Sequence, residues 1–249
     1  MAGRRHALQL YTVRKNLEKD VVRTLSVVKA IGYSYVETAG TVGMSAKEFR
    51  TLLDENGLTA IGSHIGFEEA TKDIEATIDT AGTLGVKYLV VSSIDSALTP
   101  DKNAWIACGR ALDEGGAKFR DAGLQLCYHN HGPEFQRIED EFIFDILMGA
   151  AQPDNLAAEL DTFWVQYAHA DPVVVIDKYT GRCPLLHIKD MLDRKSCAFT
   201  EVGQGILDWP AIFTAADKAG VKWHIVEQDV CARDPLDSAK MSADFLAKN

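Results

Sequence analysis

The sequence contains few cysteines, no closely spaced cysteine pair and no long apolar segment. Its five cysteines are scattered along 249 residues, a pattern typical of a reduced protein inside the cell and not of a disulfide-stabilised secreted one. No apolar run approaches the roughly 18 residues that a membrane span needs. The first six residues, MAGRRH, lack the apolar core of a signal peptide. We therefore expect a cytoplasmic protein that does not associate with membranes.

Basic residues are also scarce, since 26 lysines and arginines stand against 36 acidic residues and give a formal net charge of −10. A protein that binds nucleic acid without sequence preference needs a basic surface, so nucleic acid is not an expected partner. The turn after the first apolar run, Tyr11–Lys15, lacks the glycine fingerprint of a dinucleotide site. Neither a phosphate-binding loop nor a nucleophilic serine elbow occurs elsewhere.

A short apolar run followed by a helical segment recurs eight times along the chain. The runs are Leu8–Val13, Tyr35–Glu37, Thr59–His64, Tyr88–Ser92, Leu124–His129, Leu156–Asp161, Leu185–Lys189 and Trp223–Glu227. Five of the helical segments stop at a glycine, as helices with a left-handed cap do. Eight strand–helix units in about 250 residues predict an α/β fold, the (β/α)8 TIM barrel, as one domain over residues 1–249. An open doubly wound sheet is the alternative.

The segment LCYHNHGPEF at residues 126–135 changes from apolar to polar where the fifth strand is expected to end. In a (β/α)8 barrel, polar residues at the carboxyl ends of strands face the active site. These positions are Gln9, Glu37, His64, Ser92, Ser93, His129, His131, Glu134, Glu159, Asp161, His187, Lys189, Glu227 and Asp229. Because lone charges in a low dielectric are costly, several of these side chains should pair with one another or bind a metal ion.

A metal site is the simplest way to hold several carboxylates together. Asp161, His187 and Glu227 end three consecutive predicted strands, and Glu134 can complete the set from the loop after the fifth strand. Three carboxylates and one imidazole suit Mn²⁺, with Mg²⁺, Co²⁺ or Zn²⁺ as alternatives, and leave positions open for substrate. His129 and His131 lie close enough in sequence to replace Glu134 as the first ligand.

Several short segments carry a resemblance to a known family. They are YHNH at 128–131, ELDTFW at 159–164, GR at 181–182, HIKD at 187–190, EVGQG at 201–205 and VEQD at 226–229. In this order, and at strand ends, they make nearly the whole chain resemble the xylose-isomerase-like TIM-barrel superfamily of sugar isomerases, epimerases and related lyases. The resemblance implies a divalent ion held by Glu, Asp, His and Glu from the last four strands. It also implies a homo-oligomer.

The resemblance points to two branches of that superfamily. The interval between Asp161 and His187 looks like that of ketose 3-epimerases. The fifth strand departs from that branch, because Tyr128 and His129 stand where a metal-binding glutamate is common, and Glu134 is the nearest carboxylate. The run YHNHGPEF looks more like members that act on inositol-type keto sugars or 3-keto-glycosides. Those members eliminate or epimerise next to a ketone.

The predicted chemistry is removal of a proton next to a metal-bound ketone of a sugar or related polyol, followed by isomerisation or epimerisation. Glu134 and Glu227 are the predicted base and acid. The side chains predicted to orient oxygens or to share the proton transfer are His64, His131 and Lys189. The residues predicted to bind substrate are Gln9, Glu37, His129, Trp164 and Arg182.

Other interpretations remain open at this stage. The same site would catalyse elimination of water or of an aglycone if a leaving group departs after proton removal. A non-catalytic sugar-binding subunit would need no acid–base pair. An abasic-site endonuclease can share the barrel, but the net charge opposes it. Among single residues, Glu37 and Glu159 could be buried ion-pair partners of Arg182, and Trp164 could be a core aromatic.

Overall fold

The protein is described by a computed structural model over residues 4–248, in which eight parallel strands close into a barrel. The strands, numbered first to eighth here, are His6–Gln9, Tyr35–Ala39, Thr59–Ile65, Tyr88–Val91, Gln125–His129, Leu156–Asp161, Leu185–Ile188 and Trp223–Val226. Each pairs with its neighbours in sequence, and the first pairs with the eighth. The (β/α)8 barrel is therefore confirmed, because an open sheet would leave two edge strands unpaired.

Helices connect the strands around the outside of the barrel. The α-helices are Arg14–Leu17, Val21–Ala30, Ala46–Glu55, Phe67–Thr71, Ile74–Leu84, Lys102–Asp121, Ile143–Gly149, Thr162–Tyr167, Pro172–Lys178, Trp209–Ala219 and Pro235–Leu246. Two small hairpins, Arg137–Ile138 with Glu141–Phe142 and Asp190–Met191 with Phe199–Thr200, extend from the loops. Within residues 4–248, no helix has the length and apolar character needed to cross a membrane. The expected cytoplasmic location was based partly on residues 1–6, and residues 1–3 of that segment lie outside the described range.

The first strand differs from its prediction. It spans His6–Gln9, and the residues predicted to continue it, Leu10–Val13, form a 3-10 helix. The cause is local, because the Gln9 side chain accepts a hydrogen bond of 3.1 Å from the Tyr11 amide and caps this turn. The predicted glycine stops hold: the glycines that follow five of the helices all have positive φ angles, namely Gly32, Gly57, Gly85, Gly123 and Gly220.

The two-residue repeat of a strand sets the layers inside the barrel. One apolar layer contains Ala7, Ile61, Val90, Cys127, Ala157, Leu185, Trp223 and Ile225. One step further towards the carboxyl ends, the same strands carry polar side chains instead. Cys127 is followed by His129, and Leu185 is followed by His187. The apolar layer therefore forms a dry floor beneath a polar layer at the carboxyl ends.

Close packing of the helix Lys102–Asp121 on its neighbours requires glycine at Gly109, Gly115 and Gly116, and the last of these gives a stability prediction. A Cβ atom at Gly116 would overlap the backbone carbonyl of Asn155, so Gly116→Ala should destabilise the fold by about 1–3 kcal/mol in urea unfolding. Gly82, inside the helix Ile74–Leu84, has open space around it. Gly82→Ala is the matched control and should stabilise by about 0.5–1 kcal/mol. Equal stability of the two variants would refute this packing.

A buried histidine lies at the opposite end of the barrel from the polar layer. His224, in the eighth strand, is 2 % exposed, and neither of its ring nitrogens has a hydrogen-bond partner among the described residues. Its ring lies 5.9 Å from that of His6, measured between centroids. Burial, the neighbouring His6 and the charge of Arg4 lower the pKa of His224 to about 4. The folded protein therefore holds this histidine neutral.

This pKa shift predicts a pH-dependent stability. Between pH 6.5 and 4 the unfolded state binds a proton at His224 that the folded state does not, so stability falls as the pH drops below 6.5. From pH 7 to pH 5 the loss from this residue should be about 2 kcal/mol. The free energy of unfolding of wild type and His224→Leu, measured in urea at both pH values, tests this. The variant should show a smaller loss, and parallel losses in both proteins would contradict the expectation.

Candidate functional site

A cavity of about 680 Å³ opens at the carboxyl ends of the strands. Its polar lining includes His64, Glu69, His129, His131, Glu227 and Asp229. Five of these six side chains, all except Glu69, belong to the strand-end positions predicted from the sequence. The volume lies in the range of small-molecule sites, and the position is where barrels of this type bind their ligands.

Below this cavity, three histidine rings converge on one carboxylate. The oxygen Glu159 Oε2 lies 3.1 Å from His64 Nε2, 3.0 Å from His129 Nδ1 and 3.2 Å from His187 Nε2. Glu159 and His187 are fully buried, and His129 is nearly so. The strand alternation that places Cys127 and Leu185 in the apolar floor places His129 and His187 in this layer. Glu159 was expected at a strand end but had no assigned role as a ligand.

Glu37 closes the same cluster from the second strand. Its Oε2 atom lies 2.8 Å from His187 Nε2 and 3.2 Å from His64 Nε2. Gln9 donates a hydrogen bond of 2.8 Å to the same oxygen, while its own carbonyl accepts from Tyr11. Gln9 and Glu37 are both fully buried. The predicted substrate contacts of these two residues remain predictions; in the structure, Gln9 orients Glu37 and Glu37 contacts the imidazoles.

Opposing charges set the protonation of this cluster. Burial disfavours a charged His64, but Glu37 and Glu159 outweigh it and raise the pKa of His64 to about 10. Burial also disfavours a charged His187, but the neighbouring Glu159 and Glu227 outweigh it and raise the pKa of His187 well above the usual value. Burial and the charge of His187 hold the pKa of His129 well below the usual value. His64 and His187, each of which faces two carboxylates, therefore carry the additional protons, and a bound metal ion would displace them.

A second group of charges surrounds Lys189, which is fully buried. Its Nζ atom lies 2.7 Å from Glu227 Oε2, 2.8 Å from Asp161 Oδ2 and 3.2 Å from Asp229 Oδ1. Glu227 Oε2 also lies 3.0 Å from His187 Nδ1. Burial opposes a charge on Glu227, but the positive charges of Lys189 and His187 hold its pKa well below the usual value. Lys189, predicted to take part in catalysis, thus neutralises the carboxylates of the sixth and eighth strands.

His131 is the imidazole best placed for proton transfer in the cavity. It is half-buried, and within residues 4–248 no partner hydrogen bonds to its ring nitrogens. The ring lies 4.9 Å from that of His129 and 5.5 Å from that of Trp164, measured between centroids. Trp164 is half-buried beside it, and its indole Nε1 has no partner in the described part of the chain. Trp164 therefore offers an unused donor and an aromatic face next to His131.

Glu134, predicted both as a ligand and as a base, does not join the convergent side chains. One carboxylate oxygen accepts a hydrogen bond of 3.1 Å from the Tyr128 hydroxyl, and the other accepts one of 2.8 Å from the His131 amide. Pro133–Phe135 forms a short 3-10 helix, so Glu134 leaves the strand alternation that directs side chains inward. The correction is that Glu134 holds the loop of His131, and His129 takes the place predicted for it among the ligand-type side chains.

Arg182 also needs correction as a predicted substrate contact. It precedes the seventh strand and therefore lies at the amino-terminal end of the barrel, away from the cavity. Its guanidinium donates hydrogen bonds to the carbonyls of Met148, Ala151 and Leu156. These bonds use its donors to join loops at that end. Arg182 also forms no ion pair with Glu37 or Glu159, whose partners are histidines.

The donor chemistry of the buried layer fits a divalent metal ion. Four buried carboxylates lie there: Glu37 and Glu159 contact the imidazoles, and Asp161 and Glu227 contact Lys189 together with the partly exposed Asp229. The buried Oε1 atoms of Glu37 and Glu159 have no partner in the described residues, and such atoms are costly unless paired. Two overlapping groups have ligand atoms within 4.8 Å of one another: His64, His129, Glu159 and His187, and also His129, Asp161, His187 and Glu227. Imidazoles combined with carboxylates suit first-row transition metals.

Comparison with known proteins connects this geometry to named relatives. The profile of the xylose isomerase-like TIM barrel family matches residues 25–249. An inosose dehydratase from Lacticaseibacillus casei is 24% identical over 255 aligned positions, which cover 86% of this chain and 85% of the relative. By name, this relative is an enzyme that removes water.

Solved structures add relatives of a different named activity. A sugar phosphate isomerase/epimerase from Parabacteroides distasonis ATCC 8503 superposes with a TM-score of 0.87 at 25% identity, covering 99% of both chains. An L-ribulose 3-epimerase superposes with a TM-score of 0.75 at 16% identity, covering 98% of this chain and 94% of the other. At that lower identity the similarity concerns the fold alone.

Proposed function

The chain belongs to the xylose isomerase-like TIM barrel family, and from this and the site geometry we propose that it is a metal-dependent isomerase or epimerase. Its substrate is a keto sugar or a related polyol, and its first chemical step removes a proton from the carbon next to the ketone. One observation carries the proposal: a buried donor set for a divalent ion lies directly below acid–base side chains that line one cavity. Small-molecule sugars, and not nucleic acids or membranes, are the proposed partners.

His129 and His187 belong to both groups of ligand-type side chains and are therefore the proposed core of the metal site. Mn²⁺ is the proposed ion, with Mg²⁺, Co²⁺ and Zn²⁺ as alternatives. When bound, the ion acts as a Lewis acid that polarises the ketone and makes the adjacent C–H more acidic. Lys189 keeps Glu227 ionised beside this site, so that Glu227 can accept a proton.

Proton transfer in this proposal uses His131 and Glu227, which line the same cavity. Glu134 holds the His131 backbone in place through its 2.8 Å hydrogen bond. The ring of Trp164, which lies beside His131, would contact an apolar face of the sugar ring. Return of the proton to the opposite face of the carbon gives an epimer, and its return to the neighbouring carbon gives an isomer.

Elimination is the second candidate function. It shares the first proton abstraction but then loses a neighbouring hydroxyl or glycosidic oxygen, which the second acid–base group protonates. The inosose dehydratase relatives, which match over most of this chain, favour this outcome. A non-catalytic sugar-binding subunit is the third candidate and would bind the same compounds without exchanging their protons.

A substrate screen separates these candidates. Protein reconstituted with each metal ion is incubated in D₂O with keto sugars, 3-keto-glycosides and inososes, and products are followed by NMR. A new epimer or isomer supports the primary proposal, and an unsaturated product with release of water or an aglycone supports the lyase. Binding without any conversion across the panel supports a binding subunit. Sedimentation of the same sample tests the homo-oligomer, which remains a prediction.

A further inference from the structure

A second cavity, called the side cavity here, adjoins the cavity at the strand ends, which is called the catalytic cavity. The side cavity has a volume of about 550 Å³. Tyr11, which follows the first strand, and Ala39, which ends the second, line both cavities. The two cavities therefore meet at these residues, and a ligand in the catalytic cavity lies directly beside the side cavity.

Apolar side chains dominate the lining of the side cavity. Leu10, Leu17 and Phe49 belong to the buried core, and Val21 and Val42 are partly buried beside them. An engineered apolar cavity of roughly 150 Å³ in another protein already binds benzene. The side cavity therefore has both the lining and the volume to take an aromatic ring.

Tyr11 offers an aromatic surface where the two cavities meet. The guanidinium carbon of Arg14 lies 3.9 Å from the centre of the Tyr11 ring and covers one of its faces. Arg14 is held there because it donates hydrogen bonds of 2.8 Å to the Tyr11 carbonyl and 2.9 Å to the Asp229 carbonyl. Tyr11 nevertheless remains 41 % exposed. An aromatic ring packed against Tyr11 in a stacked or edge-to-face arrangement would cover this surface.

The loop after the second strand contributes an apolar wall at a conformational cost. Val42 has a φ angle of 55°, and Gly40 and Gly43 on either side of it both have φ angles of 78°. The left-handed region is unfavourable for a β-branched residue and persists only where the surrounding structure holds it. The Val42 side chain packs against the apolar core and lines the side cavity. This strained backbone therefore places an apolar side chain in the cavity lining.

The two cavities differ in polarity. Imidazoles and carboxylates line the catalytic cavity, whereas the charged residues in the lining of the side cavity are Arg14 and Glu18, which have opposite signs. Because burial of an unpaired charge is costly, the side cavity favours an uncharged group. A polar sugar ring that carries an uncharged aromatic substituent matches both cavities.

We propose that the side cavity binds a flat, uncharged aromatic ring attached to the sugar that occupies the catalytic cavity. Tyr11 then contacts the ring, and the apolar side chains around it exclude water. The substrate class is therefore an aryl-substituted sugar, whether the reaction returns the proton or eliminates the substituent. The inference rests on the proposed function only in that the sugar lies in the catalytic cavity.

The test compares two uncharged probes, 4-fluorophenyl β-D-glucoside and methyl β-D-glucoside, in titrations of the purified full-length protein followed by NMR. The readout is the ratio of the two dissociation constants, which isolates the contribution of the aromatic ring. Tyr11→Ala removes the proposed ring contact, and Val21→Phe fills part of the side cavity. Circular dichroism and urea unfolding confirm that each variant is folded.

Tyr167→Ala is the matched control. Tyr167 is 46 % exposed, close to the exposure of Tyr11. It packs against Trp164, with ring centroids 5.4 Å apart. Both residues follow the sixth strand, on the side of the barrel opposite the first and second strands. This variant therefore tests the rival aromatic surface near the catalytic cavity.

Wild type should bind the aryl glucoside about 10-fold or more tightly than the methyl glucoside, because the ring buries apolar area. This preference should fall about 3- to 10-fold in Tyr11→Ala and in Val21→Phe and should keep its wild-type value in Tyr167→Ala. Equal binding of the two probes by wild type, binding of neither, an unchanged preference in Tyr11→Ala and Val21→Phe, or an equal fall in Tyr167→Ala would overturn the inference.

Solvent-deuterium exchange with keto sugars is measured separately on the same wild-type protein. Exchange without a preference for the aryl probe refutes the role of the side cavity alone. A preference for the aryl probe without exchange refutes the proposed reaction alone, so the two failures are distinguishable.

Discussion

A His131→Asn variant is expected to lose solvent-proton exchange at the carbon next to the ketone by about 10²- to 10⁴-fold. The imidazole lines the cavity, and no described residue hydrogen bonds to its ring nitrogens. It is therefore free to exchange protons with a bound substrate. Asparagine keeps a polar group of similar reach but cannot transfer a proton at neutral pH. The measurement is the rate of deuterium incorporation by NMR, at saturating substrate, in the metal-loaded protein.

His169→Asn is the matched control for this variant. His169 is exposed and has a positive φ angle of 61°, which asparagine tolerates well. The His169→Asn variant should incorporate deuterium at the same rate as wild type. Both variants should also retain the metal content of wild type, because neither residue belongs to the ligand-type groups. A His131→Asn protein with the exchange rate of the control would remove His131 from the proposed chemistry.

Lys189→Met should destabilise the folded protein by about 3–5 kcal/mol. Methionine preserves most of the side-chain length but removes the ammonium that lies 2.7–3.2 Å from the buried carboxylates of Asp161 and Glu227 and the partly exposed one of Asp229. The three charges then repel one another, and the two buried ones lose a hydrogen-bond donor. Urea unfolding in the presence of a chelator gives the stability without any contribution from bound metal.

A surface lysine provides the reference for this change. Lys72 pairs with Glu68 on an exposed helix face, and pairs of this kind contribute about 0–1 kcal/mol. Lys72→Met should therefore be nearly neutral in the same assay. If both methionine variants show the same small effect, Lys189 does not neutralise the buried carboxylates and the charge arrangement described above is wrong.

The fold could be predicted from the sequence because an apolar run marked every unit and a glycine stop supported five of the eight. Apolar runs and glycine stops located eight strands and their helices, and seven strand predictions differ from the structure only at their ends. The first strand ended early because the side chain of Gln9 caps a 3-10 turn. Apolar character alone could not reveal this, since Leu10–Val13 is as apolar as a strand.

The site was predictable where side chains follow the strand alternation and not elsewhere. Asp161, His187 and Glu227 point inward in register with the apolar floor, and the structure brings all three into one cluster. His129 follows the same alternation, because it lies two residues after Cys127 in the fifth strand. This position distinguishes His129 from Glu134 as the ligand-type residue that points into the barrel. Asp229 and Glu159 also follow it, although they were given no role in the site.

Residues outside the strands could not be placed in this way. The orientation of Glu134 depends on a 3-10 turn and a hydrogen bond to Tyr128. Arg182 was assigned from a short motif, but it lies before its strand instead of after it. The pairing of Lys189 with three carboxylates is a property of three-dimensional proximity, because its partners come from the sixth strand and from the end of the eighth.

Solvent-deuterium incorporation by the wild-type enzyme is the measurement that bears most directly on proton abstraction next to a ketone. Metal-loaded protein is given a keto sugar or inosose that it converts, in D₂O, and the recovered substrate and product are analysed by NMR and mass spectrometry. The account predicts one deuterium at the carbon next to the ketone, in the epimer or isomer or in substrate recovered from an elimination. Conversion of substrate with no deuterium at that carbon and no eliminated group would contradict it.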